Sequence, residues 1–358
     1  MGQSIFDPRR TLAQRRSALT NLMDFLVTGG IADRTRMPAQ LIHTGPQCAV
    51  YRYDAAPGVA SLGSPVLLVP PLGSPAMCFD LRRGCSVAEH FVNAGRPTYL
   101  VDYGPIAFSD RHLGLEHWVA DVLPHAVRRV SDDAGDAPVA LVGWCLGGIF
   151  GLLTAAAFPE LPIAAVAMVA SPFDFAKNPL TAPVRVAGKV TGGRALGGAT
   201  RALGGLPSQL VGPAFKLTAL PAYLKKPLTL YHHRDDREFL AQIEAVDRLM
   251  NEMHAFPGRA TLQAYQRLLH RNELASGQIT GPTRTVDLAD VRIPVMNVAG
   301  TSDVLAPKAA AHHVGSLLTS SPDVRLPDAP GGHLGVLTGA RAATTTWTYI
   351  DDFLDAQP

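Results

Sequence analysis

The sequence predicts an α/β fold: a mostly parallel, doubly wound sheet with a cap subdomain inserted late in the chain. Three observations carry this. Short apolar runs rich in β-branched residues alternate with helical periodicity from residue 65 to residue 173. The alternation stops over residues 174–287 and resumes after them. At residues 139–148 a strand-like run passes through a glycine-flanked cysteine into an alanine-rich helix. The expected organisation is therefore an N-terminal helix with leading strands (1–60), a core made of 61–173 and 288–358, and a cap from 174 to 287.

Composition supports a large core and excludes several function classes. The 358 residues are 47% hydrophobic, which is ample for one large α/β domain. A net charge of +2, without interleaved aromatic and basic residues, predicts no nucleic-acid binding. The four cysteines, Cys48, Cys78, Cys85 and Cys145, show no Cys-x-x-Cys spacing and no nearby histidine pair. No metal site is expected, and a reduced, cytoplasmic set of thiols is. The first six residues carry neither a signal-peptide core nor a myristoylation signal, since Phe6 stands where that signal needs Ser or Thr. No apolar run approaches the roughly 20 residues that span a bilayer.

Taken in order, residues 9–27 are basic and then amphipathic, with Leu12, Leu19, Leu22, Met23 and Leu26 near helical spacing, which predicts an outer helix. Residues 40–44 and 49–53 read as a strand pair around the Gly45-Pro46 turn. Residues 65–69 are the first parallel strand, followed by Pro70-Pro71-Leu72-Gly73-Ser74. A helix over 86–94, a strand over 97–102 and a helix over 114–130 follow. The central strand precedes Cys145, and residues 164–170 form the next one.

Within 174–287 the first half is rich in Gly, Pro and Ala, whereas 239–253 and 260–272 are helical. Between Phe175 and Arg234 there is no acidic residue, but Lys177, Arg185, Lys189, Arg194, Arg201, Lys216, Lys225, Lys226 and Arg234 are basic. Two readings fit this run: a solvated basic face, or a surface that attracts a phosphate-bearing acyl donor or an anionic lipid. The sheet resumes at 293–299 and ends at 323–326, and a closing helix is expected over 340–354.

Chemistry concentrates at three places. Gly143-Trp144-Cys145-Leu146-Gly147-Gly148 is similar to the nucleophile elbow of α/β-hydrolases, where a tight turn lifts the central side chain above the sheet. Cys145 is thus the candidate nucleophile, a thiolate instead of an alkoxide. Asp303 follows the strand at 293–299, where the acid of such a triad belongs, although an Asp there also suits a turn. His333, in Gly331-Gly332-His333-Leu334-Gly335, is the one of twelve histidines placed as the general base. Backbone N–H groups of Leu72 or Gly73, and of Leu146, are the candidate oxyanion donors, because the two prolines before Leu72 have none.

Beyond the elbow, the chain resembles the polyhydroxyalkanoate synthases. The matching residues run from Val69-Pro70-Pro71 through Phe79-Asp80-Leu81, Ser86-Val87 and the elbow to the cap's end at 265–277, which closes with Asn272-x-Leu274-x-x-Gly277. They continue through Asp287-Leu288, Ile293-Pro294-Val295, Gly300-Thr301-Ser302-Asp303 with Pro307, and Gly332-His333. The resemblance implies that Cys145 carries an acyl chain as a thioester, that His333 activates the thiol or the incoming hydroxyl, and that Asp303 assists. It implies acyl-CoA as substrate, no cofactor, and work in the cytoplasm or at a storage-granule or membrane surface.

Two departures matter. Residues 251–257, Asn-Glu-Met-His-Ala-Phe-Pro, lack a tryptophan often found there, and the long N-terminal region of larger synthases is absent. The chain therefore matches the short catalytic subunits, which implies a partner subunit or a homo-oligomer. An esterase, lipase or polyester depolymerase using the same three residues is the alternative, and a granule-associated protein without chemistry is a third reading.

Overall fold

The computed structural model describes residues 11–24, 27, 30–183, 185, 204–218, 220–281 and 285–357. Its centre is a nine-stranded sheet. The strands are β1 (Ala39–Gly45), β2 (Cys48–Tyr53), β3 (Val66–Val69), β4 (Thr98–Asp102), β5 (Val139–Trp144), β6 (Ile163–Val169), β7 (Val295–Gly300), β8 (Val324–Arg325) and β9 (Asp328–Ala329). Their order is β1-β2-β4-β3-β5-β6-β7-β8, with β9 also paired to β7. The pairs β1·β2 and β2·β4 are antiparallel, and every other pair is parallel.

Side-chain alternation explains why both faces are covered. In β3, Leu67 and Val69 point into one apolar cluster and Val66 and Leu68 into the other. In β5, Val139 and Leu141 join the first cluster, and Ala140, Val142 and Trp144 the second. A strand buried on both faces needs a continuous apolar run, which is why β3, β5 and β6 read as they do. The chain leaves β3 for β4 on one side and returns to β5 on the other. That reversal opens a crevice at the carboxyl ends of β3 and β5, where open α/β sheets bind ligands.

The helices are α1 (Leu12–Met23), α2 (Val87–Asn93), α3 (Leu123–Asp133), α4 (Leu146–Ala157), α5 (Ser208–Thr218), α6 (Leu220–His232), α7 (Arg237–Asn251) and α8 (Thr346–Asp355), with shorter turns between them. The stretch before α3 is a π turn, Trp118–Val122. Pro124 lacks the N–H that would close an ordinary turn there, which accounts for the wider one. Among the described residues no helix is long and apolar enough to cross a membrane.

Three elements differ from the sequence reading. The closing helix starts at Thr346 and not near 340. Thr344 and Thr345 bond their hydroxyls to the Arg341 carbonyl, and such local bonds compete with a helix. The last strand is split into two residues each side of Leu326-Pro327, because proline has no N–H for the ladder. The apolar positions of α1 face outward: Leu12 is 83% and Leu19 56% exposed. Its polar side faces the protein, where buried Asn21 donates to the Arg234 carbonyl at 3.0 Å and Asp24 pairs with Arg237. Leu26 lies outside the described residues.

Residues between β6 and β7 leave the sheet and form a layer over the crevice. Of the basic run, Lys189, Arg194 and Arg201 lie outside the described residues. Lys177 pairs with Asp174, Lys216 bonds Asn251, and Lys226 pairs with Asp247. The acidic partners thus come from just outside the acid-free segment.

Asn272 ties the two ends of this layer together. It sits in the left-handed region at φ 55°. Its Oδ1 accepts from the Phe175 N–H and its Nδ2 donates to Asp174, both at 2.8 Å. Leu274 is fully buried and Gly277 closes the turn at φ 74°. That geometry is the physical content of the Asn-x-Leu-x-x-Gly run. Asn272→Ala loses both bonds and strains the backbone, so it should cost about 2–4 kcal/mol in chemical denaturation. Asn272→Gly, free of the strain, should fall between; an Ala variant as stable as the wild type would refute this role.

Candidate active site

The site is built on the turn between β5 and α4. Cys145 has φ 53° and ψ −119°, a conformation that side-chain-bearing residues rarely adopt. The turn survives because its neighbours have no Cβ. A Cβ on Gly143 would stand 2.5 Å from the Gly148 backbone, and one on Gly147 would stand 2.1 Å from the Val69 carbonyl oxygen. The Cys145 N–H donates to Val169 at 2.9 Å, and its carbonyl accepts from the Ser171 hydroxyl at 2.8 Å. Asn297 in turn donates to the Ser171 carbonyl at 2.8 Å. Cys145 is held from β6 and β7 as well as from its own strand.

Asp303 and His333 arrive from two loops that are stitched together. The Thr301 N–H donates to Ala329 at 2.9 Å and the Ser302 N–H to Gly331 at 3.0 Å. Asp303 is buried, with Oδ1 accepting from the Leu305 and Ala306 N–H groups at 2.8 and 2.9 Å. Those two donors leave Oδ2 for His333 Nδ1, at 2.8 Å. Cys145 lies close enough to the ring for its charge to act on it, and both line the same cavity. The Trp144 indole N–H donates to the His333 carbonyl at 3.0 Å, and the two rings lie 5.4 Å apart.

Burial disfavours a charged imidazole. The charge of Cys145 and the bond to Asp303 outweigh it, holding the His333 pKa above the ordinary histidine value.

A cavity of about 700 Å³ opens over these residues, between the sheet's carboxyl edge and the cap. Cys145, His333, Leu72 and Leu146 line it from the core. Leu146 is the first residue of α4, so its N–H has no acceptor within the helix. Phe215, Ile243, Val246, Met250, Met253 and Phe256 form apolar walls from the cap, and Tyr223, Lys225, Lys226 and Asp247 add polar groups.

The structure therefore brings Cys145, His333 and Asp303 together, with Leu72 and Leu146 beside them. Gly73 does not line the cavity itself. The cap walls were not singled out from sequence, although Ile243, Val246 and Met250 recur at helical spacing on α7 and carried a legible signal.

The other thiols contrast with Cys145. Burial pushes Cys48 up to about 11 and Cys78 up to about 12, and it raises Cys85, whereas Cys145 alone of the four is part-exposed. Iodoacetamide should therefore label Cys145 alone in the folded protein, read by peptide mass. Because His333 keeps its proton well above the ordinary histidine value, an imidazolium should face Cys145 at neutral pH, and wild-type labelling at about pH 7 should exceed that of His333→Ala. In His333→Ala the rate should fall at neutral pH and climb about tenfold per pH unit toward the ordinary thiol pKa. Equal pH profiles for the two proteins would refute the pairing.

Known proteins fit this geometry. A poly(3-hydroxyalkanoate) polymerase subunit of Allochromatium vinosum is 26% identical, over 99% of this chain and 96% of its own. That of Haloferax mediterranei is 24% identical over 81% of this chain, which spans 58% of that relative's length. A thermophilic esterase from Thermogutta terrifontis shares the fold, with a TM-score of 0.51 at 13% identity over 90% of this chain and 98% of its own. The α/β hydrolase fold model matches residues 65–340, from β3 through the loop that carries His333. A match of that extent means that the chain belongs to the α/β-hydrolase fold family.

Proposed function

We propose that the protein is an acyltransferase similar to polyhydroxyalkanoate synthase, moving 3-hydroxyacyl groups from coenzyme A thioesters through an acyl-Cys145 intermediate. The observation that carries this reading is a cysteine, in place of serine, on the strained elbow, sharing one cavity with a histidine that a buried aspartate orients. The names of the two polymerase relatives support the substrate class.

In the first step the Cys145 sulfur attacks the thioester carbonyl carbon. A carbon–sulfur bond forms, the carbonyl oxygen becomes an oxyanion facing the Leu72 and Leu146 N–H groups, and collapse breaks the bond to the coenzyme A sulfur. That sulfur leaves with the proton of His333. In the second step neutral His333 takes a proton from the hydroxyl of a hydroxyacid ester, whose oxygen attacks the acyl carbon and releases Cys145, reprotonating the pair. Asp303 keeps the ring orientation constant between the steps. Exchange between two thioesters is nearly balanced in energy, so the intermediate can wait for its acceptor. The apolar cap walls favour a hydroxyl carried on an acyl chain over water. The relatives are named as subunits, which supports a partner chain; work at the surface of the growing polyester follows from the same reading.

The test incubates the protein with 3-hydroxybutyryl-CoA and, separately, a long-chain acyl-CoA, following free thiol and the masses of protein and products. An acyl adduct on Cys145 together with oligomeric hydroxyacid esters is expected. Free acid equal to the coenzyme A released, with no oligomer, would overturn the synthase reading in favour of an ester hydrolase. Cys145→Ala should show no adduct, and its turnover should fall roughly 10³-fold or more, as for loss of a triad nucleophile. Cys145→Ser should lose most thioester exchange, because a hydroxyl is ionised far less readily than a thiol.

A further inference from the structure

The loop proposed to supply one oxyanion donor is held from the cap. Residues 70–74 begin with two prolines and contain one backbone bond of their own, Ser74 N–H to Pro71 at 3.1 Å. Gly73 stands at φ 87°. Its carbonyl accepts from the His254 N–H at 2.8 Å. The Phe256 ring covers its Cα so closely that a Cβ there would stand 2.0 Å from Phe256 Cε2. The His254 imidazole lies near Gly104 and Asp102 at the end of β4, where the Gly104 N–H is held by Asp102 at 2.9 Å. The cap segment from His254 to Phe256 thus braces the loop after β3. Its anchorage is also fixed, because Phe256 and Pro257 pair with Leu206 and Gly205.

We infer that His254 and Phe256 are positioning residues for the oxyanion loop. Resting on the acyl-transfer reading above, they hold the loop at Gly73 and so keep the Leu72 N–H in the orientation that meets the developing oxyanion. An oxyanion donor acts only within hydrogen-bond reach of where the charge will appear, so a loop free to turn about Gly73 forfeits part of its effect. The segment's place in the cap means that the oxyanion loop and the cap wall are held by the same contacts. This is also the stretch that departs from the synthase pattern by lacking a tryptophan; here histidine and phenylalanine form the brace.

Two reactions of the same thiol test this. Acylation by p-nitrophenyl butyrate passes through an oxyanion; alkylation by iodoacetamide, a displacement at a saturated carbon, does not. His254→Pro, which removes the N–H, should slow acylation about 10- to 10²-fold in kcat with little change in KM, and Phe256→Ala should lower kcat by a similar factor. Their alkylation rates should stay within about twofold of the wild type, showing that the Cys145–His333 pair and the elbow are intact. His254→Gln, which keeps the N–H and offers a side-chain donor, should recover most of the rate lost in His254→Pro.

Acylation and alkylation falling together would mean general damage to the elbow and would overturn the inference. A rise in KM at unchanged kcat would also overturn it, since Phe256 would then only shape the acyl cavity. Acylation of both variants at the wild-type rate would do the same. A wild type that p-nitrophenyl butyrate acylates but 3-hydroxybutyryl-CoA does not would instead remove the substrate reading and leave the positioning role standing. A wild type acylated by neither would remove both.

Discussion

The backbone of Cys145 is the constraint on which the rest of the site depends. A residue with a Cβ in that region costs about 1–3 kcal/mol, and it stays there only if its surroundings over-determine it. Here they do. Every residue of β5 is buried, the Cys145 N–H is bonded to β6, and its carbonyl is bonded to Ser171, itself fixed by Asn297 of β7. The sheet's burial offsets the local strain. In return the sulfur is held above the carboxyl edge, facing the crevice that strand order alone creates.

From that fixed point the histidine follows. His333 lies in a short loop after β9, which by itself would leave the ring free to turn. Two contacts remove the freedom: Asp303 takes Nδ1, and Trp144, the residue before the nucleophile, takes the His333 carbonyl. Asp303 is aimed because two N–H groups occupy its other oxygen. The carboxylate and the nearby Cys145 charge then stabilise the cationic ring and hold the His333 pKa above the ordinary value. Geometry and charge therefore depend on the same few bonds, and neither would persist without the other.

How far the sequence could be read depended on whether a local pattern had a local cause. The strands β3 to β7 were legible because burial on both faces leaves a continuous apolar run. The elbow was legible because its glycines sit close together in sequence around Cys145, although only Gly143 is demanded by a near neighbour, Gly148, and Gly147 is demanded by the Val69 carbonyl of β3. Asp303 and His333 could be placed by chain order and loop composition. What failed had a distant cause or one that hydrophobic periodicity does not carry. The outward apolar face of α1 is set by Asn21 and Asp24 meeting Arg234 and Arg237, more than 200 positions away. The late start of α8 is set by threonine hydroxyls competing for a carbonyl, which helical periodicity does not register. The role of Asn272 could be noticed as a pattern but not explained until Asp174 and Phe175 were found against it.

The cap gives the site its medium as well as its walls. A thiolate and an imidazolium gain most from each other where water is scarce, and the same scarcity slows hydrolysis of an acyl thioester. Residues on one face of α7, with Phe215, Met253 and Phe256, supply the apolar surface that would exclude water, while the charged groups of the cap pair with partners such as Asp174 and Asp247. Because Asn272 fastens the end of the cap to its beginning, that surface is attached to the core at the loop just past β6, close to Ser171 and hence to the elbow. Cap placement and nucleophile placement thus share an anchor. A cap free to drift would cost the site both its dryness and its alignment, which is a physical reason for a motif at the cap's end to be as specific as the elbow itself.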